Sequence, residues 1–563
     1  MTATPHPAAE VFLVNAVFRP RRIAEPAGVL FLAARAREAG YTVRVVEPGL
    51  EPAGDSRLGL DPAGVASLIT GQAGPGRPDE GLDSPRPRPL VVGISSMSWQ
   101  LEDTLALARE LRDRGFRGLL VGGGHGPTLD PEAYLLPDSP LDAVVVGEGE
   151  EPFRELCDYA RELARAGEPR GLVPIAGVLW RTPEGPRGEP PAPRLADLGR
   201  LPHMARDVLE RKLEAFGGFE VGASIVSGRG CFARCAYCSI SAYLDRQPGP
   251  RFRQRPPQDI VGEMASIHAR YGVERFNFED DNFLLPGRAG AARAEAFARA
   301  CSSLDFRPRF FLQTRPDQVT EEALRPLLEV GLEDINVGIE AVFPGDLELF
   351  NRGGTAEDAE RCLAVLHALG FTPSTENRRP SFRVGYITFH PYSTLDSLER
   401  SLAFLRRHEL SPKKLKVTLR LYPATPIGAR AAADGLALPG GGFRFLNPEV
   451  EAFYEALSGW LELWTPVRER VRSAEKRALS MVPPRDPDGV LVRTRMDLDR
   501  LAHEVARSLL EAAKSSDWAT AVDRAAARAR ADLAAVAAGT DYRQACALAD
   551  EIGRPEAGVD GWR

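Results

Sequence analysis

The chain has 563 residues, of which 44% are hydrophobic and 26% charged, with a formal charge of −7. That length suggests two to four domains, each able to bury a core without covalent staples. The negative balance argues against a general nucleic-acid binder, no run of 18 apolar residues suggests a membrane span, and the start MTATPHPAAEVFLVN lacks the features of a secretory signal, so a cytoplasmic protein without nucleic-acid or membrane partners is expected.

Residues 10–200 alternate strand and helix signals. Val11–Asn15 is a short apolar run, Pro26–Gly40 has helical spacing and ends on glycine, and Tyr41–Val46 alternates β-branched residues. A polar segment rich in Pro and Gly, Gln72–Pro89, reads as a surface insertion. The rhythm resumes with strand Leu90–Ile94, helix Leu101–Arg114 and strands Gly118–Val121 and Ala143–Val146. Such alternation predicts a doubly wound parallel sheet, whose ligands sit beyond the carboxyl ends of the strands. Three strand ends carry small residues: Ser95, Ser96, Met97 and Ser98; Gly122, Gly123, Gly124 and His125; and Gly147, Glu148, Gly149 and Glu150. Three such ends on one sheet edge point to a ligand site.

Residues 173–200 predict a β-hairpin with a second Pro-rich segment, then a connector. Strand signals follow at Ala223–Val226, Arg275–Phe278, Phe310–Gln313, Asp334–Ile339, Phe382–Ile387 and Leu415–Leu421, which makes six β/α units, short of the eight of a complete barrel. Beyond about residue 440 the signal is helical, at Pro448–Leu463, Asp497–Ser515 and Trp518–Ala537. The expected division is 1–200, 201–430 and a helical 431–563. Trp460, Trp464 and Trp518 on these helices read as core aromatics; the alternative is a cap over the barrel mouth.

Seven cysteines are present, and three of them, Cys231, Cys235 and Cys238, fall within eight residues as CFARCAYC. A disulfide framework does not suit a large chain with an odd cysteine count. Structural zinc needs a fourth ligand, and the flanking His203 and His268 are about 30 residues away. A [4Fe–4S] cluster on three thiolates leaves one iron open for a substrate or cofactor.

The C-x3-C-x2-C spacing after a strand, with Tyr237 before the last cysteine, resembles the radical S-adenosylmethionine (SAM) superfamily. The resemblance implies that Cys231, Cys235 and Cys238 hold the cluster and that SAM chelates the open iron. It also implies SAM-binding roles for Glu279, Asp280 and Asp281 in FEDDNF, for Gln313 and Arg315, and for Gly338 and Glu340 in a Gly-Ile-Glu element. Arg352, Ile387 with His390, and Tyr422–Pro426 (YPATP) match later, weaker elements.

An open β/α sheet ahead of such a barrel resembles the cobalamin-binding subgroup, as do GGGHGPTLDPEA at 122–133 and VVVGEGEEPF at 144–153. The likeness spans roughly residues 10–430. It implies an α/β architecture: a Rossmann-like cobalamin-binding sheet, a partial (β/α)6 radical SAM barrel and a helical C-terminal segment. Cobalamin contacts would come from Ser95, Ser96, Gly122, Gly123, Gly124, His125, Gly147, Glu148 and Gly149. One departure is that no His has Asp two residues before it, so the Asp-x-His-x-x-Gly cobalt-ligand motif is absent and base-displaced binding without that His ligand is expected. The expected activity is a cobalamin-dependent radical SAM methyltransferase acting on an unactivated carbon, or phosphorus, of a small-molecule or peptide precursor, with a flavodoxin or ferredoxin as electron donor. Ring formation or rearrangement with the same cofactors is the alternative within the family, and a cofactor-sensing regulator the alternative outside it.

Overall fold

The computed structural model describes residues 9–553 except 19–24, 52–58, 72–88, 167–171, 218–220, 375–378, 481–485 and 487–488, so the insertion expected at Gln72–Pro89 lies almost wholly outside the described residues. The chain packs as two compact units, Met1–Ile335 with Tyr422–Ala429, and Asn336–Leu421 with Arg430–Arg563.

The first unit opens with a seven-stranded sheet of β1 (Val11–Asn15), β2 (Val43–Val46), β3 (Val91–Ser95), β4 (Leu119–Gly123), β5 (Ala143–Val145), β6 (Val178–Trp180) and β7 (Arg187–Gly188), in the order β2-β1-β3-β4-β5-β6-β7. The first five are parallel, and β6 and β7 add the expected hairpin antiparallel to β5. The order reverses between β1 and β3, the doubly wound arrangement whose crevice lies at that reversal. The strands read as unbroken apolar runs because both faces are covered. Val11 and Leu13 pack with Val29, Leu30, Phe153 and Leu156, while Phe12 and Val14 pack with Val65, Ile69, Leu107 and Leu111. Helix Ala27–Glu38 ends with Arg35 and Arg37 in its last turn, and helix Leu101–Asp113 buries Thr104, Leu107, Ala108 and Leu111 at helical spacing.

The same unit continues with β8 (Ala223–Ile225), β9 (Gly228–Gly230), β10 (Phe252–Gln254), β11 (Arg275–Phe278) and β12 (Arg309–Thr314). β12, β11 and β8 lie side by side in parallel, with Phe278 opposite Ile225 and Phe276 opposite Phe310. β9 and β10 form a separate antiparallel pair that flanks the cysteine loop. The sequence pattern did not predict it, because Gly-Arg-Gly and Phe-Arg-Gln carry no apolar alternation.

The chain passes from the first unit to the second within β13 (Leu332–Glu340). In the second unit β13 is followed by β14 (Thr372–Pro373) and β15 (Ser381–Tyr386), ordered β14-β15-β13. Five of the six expected barrel strands form. The sixth, Leu415–Leu421, does not: Pro412–Lys416 is a 3-10 turn, and only an isolated bridge joins Thr418 to Phe389. Pro412 fixes a turn-forming φ, and a turn satisfies the start of a lysine-rich segment better than a ladder does. The helical tail is longer than expected, with helices Pro448–Ser480, Val490–Ala513, Trp518–Ala538 and Thr540–Gly553.

Trp460 and Trp464 are fully buried and stacked at 6.2 Å, and their indole N–H groups donate to the carbonyls of Ala529 and Leu498 at 2.9 Å. They are core residues of the helical tail, whereas Trp518 is half-buried. Trp460→Ala should therefore destabilise the protein by about 3–5 kcal/mol, and Trp518→Ala by less than about 1 kcal/mol. Chemical denaturation followed by circular dichroism measures both.

Candidate functional site

The carboxyl ends of β1, β3, β4 and β5 open into a cavity of about 350 Å³ within the first unit. Ser95, Gly122, Gly123, Gly124, His125, Gly147, Glu148 and Gly149, from the three strand ends singled out in the sequence, line it. Its apolar floor includes Leu13, Phe31 and Phe153. Ser96 does not line it: its hydroxyl is buried between Tyr134 and Thr104, at 2.8 and 2.9 Å. The glycines have distinct reasons. Gly124 and Gly147 have φ of +90° and +88°, which side chains rarely adopt, and a Cβ on Gly147 would sit 2.7 Å from the Gln247 side chain. A Cβ on Gly123 would meet only Val145, at 4.0 Å, so its absence leaves room on the cavity side.

His125 stands at the cavity edge, stacked against Tyr243 at 6.0 Å and met edge-on by Tyr422 at 5.8 Å. Burial pushes its pKa down to about 4, so the ring is neutral at physiological pH. Its two ring nitrogens are buried, and the Ser239 backbone opposes the shift.

Two ion pairs missed by sequence reasoning cross this cavity. Arg253 donates to Glu148 at 2.9 Å, and Arg229 pairs with Glu150 at 2.6 Å while lying 4.5 Å over the Phe31 ring. Burial opposes ionisation of Glu150, but the Arg229 charge wins and holds its pKa below the usual value. The available signal was Gly228-Arg229-Gly230, a charge between glycines directly ahead of Cys231.

The acidic end of β11 splits into separate tasks. Asp280 is fully buried and accepts from the Ser227 amide at 2.7 Å, the Gly228 amide at 3.0 Å and the Ser227 hydroxyl, so it anchors the loop after β8. Glu279 and Asp281 instead line the cavity, with Asp281 accepting from the Gly230 amide at 3.1 Å. Burial pushes Asp281 up to about 6, with Arg229 opposing.

Cys231, Cys235 and Cys238 share one loop and form no disulfide. Among the described residues no three His, Cys, Asp or Glu side chains are closed into a ready metal site. The donor set nevertheless suits a soft metal centre. Burial pushes the Cys231 thiol up and the Cys238 thiol to about 11, and the negative charges of Cys235 and Asp281 add to both shifts. Arg315 donates to the Cys235 sulfur at 3.6 Å and pairs with Asp317 at 2.9 Å. Tyr237 is half-buried in the loop, and Gln313 donates to the Asp280 carbonyl at 2.7 Å.

Gly338 and Glu340 lie in the second unit. Glu340 adopts φ +69°, a Cβ on Gly338 would lie 2.7 Å from its carboxylate, and Arg352 donates to the Gly338 carbonyl. His390 is buried against Asp346 at 3.0 Å.

Residues 225–405 match the Radical SAM superfamily and residues 85–157 match the B12 binding domain. The chain thus carries a radical SAM domain and a B12-binding domain. It is 26% identical, over 62% of its length and 71% of the relative's, to an uncharacterized methyltransferase of Pyrococcus horikoshii. It is 23% identical, over 62% and 63%, to the anaerobic magnesium-protoporphyrin IX monomethyl ester cyclase of Synechocystis. Its fold is that of OxsB, a cobalamin-dependent SAM radical enzyme solved with aqua-cobalamin and SAM bound, at a TM-score of 0.71 and 14% identity over 97% of this chain and 78% of that one.

Changing Cys231, Cys235 and Cys238 together to Ala should abolish iron and sulfide uptake on anaerobic reconstitution, whereas Cys157, Cys301, Cys362 or Cys546 to Ala should leave about four of each per chain, the content of one [4Fe–4S] cluster. Elemental analysis checks both arms.

Proposed function

We propose that this protein is a cobalamin-dependent radical SAM methyltransferase, acting on an unactivated carbon or phosphorus of a small-molecule or peptide natural-product precursor. One observation carries the reading. The glycine-lined strand ends of the matched B12-binding domain and the residues flanking the matched cysteine loop (Gly228, Arg229, Gly230, Glu279 and Asp281) line the same cavity. When bound, the cluster, SAM and cobalamin supply hydrogen abstraction and methyl donation at an atom that is not itself a nucleophile.

The chain's residues supply binding and orientation. Cys231, Cys235 and Cys238 hold the cluster. Glu279 and Asp281 set negative charge where the SAM cation binds, and Gln313 and Arg315 supply polar contacts nearby. The small residues from Ser95 to Gly149 let the backbone approach the corrin, while neutral His125 and Tyr243 wall the cavity. A flavodoxin or ferredoxin delivers the electron. A cytoplasmic setting, with no nucleic-acid partner, fits this chemistry.

The cyclase relative favours a second reading, ring formation with the same cofactors. Incubation with methyl-labelled SAM, a strong reductant and a metabolite extract separates them. Methyl transfer should yield S-adenosylhomocysteine and 5′-deoxyadenosine in near-equal amounts, with label in a product. 5′-Deoxyadenosine with little S-adenosylhomocysteine and no added methyl mass would reject methyl transfer and favour ring formation or rearrangement.

A pH test follows from Asp281. With its pKa raised to about 6 by burial, the carboxyl is neutral below that pH and anionic above it. SAM affinity of the reconstituted protein should therefore rise from pH 5 to 7. Asp281→Asn should flatten the rise and weaken binding at pH 7 by about tenfold, the worth of one charge-assisted contact. Equilibrium dialysis measures it.

A further inference from the structure

The end of β12 sets one cation against the cysteine loop of the first unit. Arg315 follows Thr314, the last residue of β12, and precedes Pro316, which favours the extended backbone found there at φ −92° and ψ 152°. The strand end is tied down before Arg315 leaves it. The Gln313 side chain donates to the Asp280 carbonyl at 2.7 Å, the Gln313 carbonyl accepts from the Phe283 amide at 2.9 Å, and Thr314 donates to the Gln318 side chain at 2.9 Å. From this base the guanidinium donates through Nη1 to the Cys235 sulfur at 3.6 Å and through Nε to Asp317 at 2.9 Å. Arg315 and Cys235 are each only 7% exposed.

The charge of Arg315 is felt at a second cysteine. Burial raises the Cys231 thiol, Asp281 adds to the rise and Arg315 opposes it. Out of water such a charge is screened little. The cation inside the cysteine loop itself is placed differently: Arg234 precedes Cys235, but its side chain is 64% exposed and pairs with Asp245 at 3.4 Å. Water screens that charge from the sulfurs.

We propose that Arg315 is a positioning residue that sets the reduction potential of the cluster held by Cys231, Cys235 and Cys238, acting through the Cys235 sulfur. The inference rests on the cluster assignment made above and assigns Arg315 a task separate from any contact with SAM. Reduction adds one electron, taken from an external one-electron donor, and no bond forms or breaks at Arg315. The added negative charge spreads onto the thiolate sulfurs. A donated N–H and a fixed positive charge at a sulfur favour the more negative state, so both raise the potential. Asp281, whose charge acts on Cys231 and Cys238, pulls the other way.

The test is a redox titration of the reconstituted full chain without SAM, with the reduced cluster followed by electron paramagnetic resonance. Arg315→Gln should shift the reduction equilibrium about tenfold towards the oxidised cluster, a potential lower by about 59 mV for one electron. Arg315→Lys keeps the charge but loses the fork, and should lower the potential by less. Arg234→Gln removes the same charge from the exposed side of the loop and should leave the potential where it is. If Arg315→Gln assembles no cluster, Arg315→Lys decides alone: a lower potential supports the proposal and an unchanged one overturns it. A potential unmoved by Arg315→Gln, which would leave Arg315 a SAM contact only, or an equal shift in Arg234→Gln, overturns the proposal while the cluster assignment stands. Failure of the parent chain to take up about four iron and four sulfide overturns the cluster assignment, and the proposal with it.

Discussion

The buried carboxylate of Asp280 is the constraint on which the first unit's site depends. It stands at the end of β11 and accepts two amides and a hydroxyl from Ser227 and Gly228, just beyond β8. Burying an unpaired carboxylate is costly, and burial does raise this one to about 6. Three donors offset the cost only in one backbone geometry, and that geometry sets the course of the chain into Arg229, Gly230 and the cysteines. With Asp280 turned inward, Asp281 is left to face the cavity. One residue holds the loop, and its neighbour presents charge to a ligand.

The second constraint is the ion-pair set at the cavity wall. Arg253 with Glu148 and Arg229 with Glu150 join residues of the B12-binding sheet to residues flanking the cysteine loop. Such buried pairs add little net stability, because desolvation consumes most of the attraction. Losing one partner is far more costly than the pair is worth, since it strands the other charge. These pairs therefore act chiefly as position-setters: they penalise any arrangement in which the strand ends and the loop move apart. The stacking of Tyr243 on His125 joins the same two sequence regions with apolar area instead of charge.

Most of the fold was legible because the parallel strands, covered on both faces, read as short apolar runs between amphipathic helices. Val11–Asn15 and Ala223–Ile225 are found within a residue of where the pattern puts them. Leu415–Leu421 misled, since alternating leucines and valine mimic a strand while Pro412 and the lysines favour a turn. β9 and β10 were invisible because their pairing rests on backbone bonds around Arg229 and Arg253, not on apolar side chains. At the site, the cysteine spacing and glycine clusters were readable as local strings. The roles of Asp280 and Asp281 were not, because adjacent carboxylates in one motif differ only in which way each turns. The partners of Glu148 and Glu150 lie about 80 to 105 residues away along the chain, and sequence periodicity carries no such information.

Net charge is a poor guide to the field inside such a protein. A total of −7 argues against a surface that gathers nucleic acid, but screening confines the influence of exposed charge to about 8 Å at physiological salt. A buried group therefore responds to its immediate neighbours. The first unit sets Glu279 and Asp281 on a cavity whose wall otherwise combines glycines and apolar side chains with the Arg229–Glu150 and Arg253–Glu148 pairs, in which each cation already has its carboxylate. In the second unit burial acts on Lys414, and the Glu340 charge offsets it in part. Burial pushes Asp281 towards its protonated form and Lys414 towards its deprotonated form, each towards neutrality. A cationic ligand beside Asp281 reverses that push, so affinity for charge is stored in the residue before any ligand arrives.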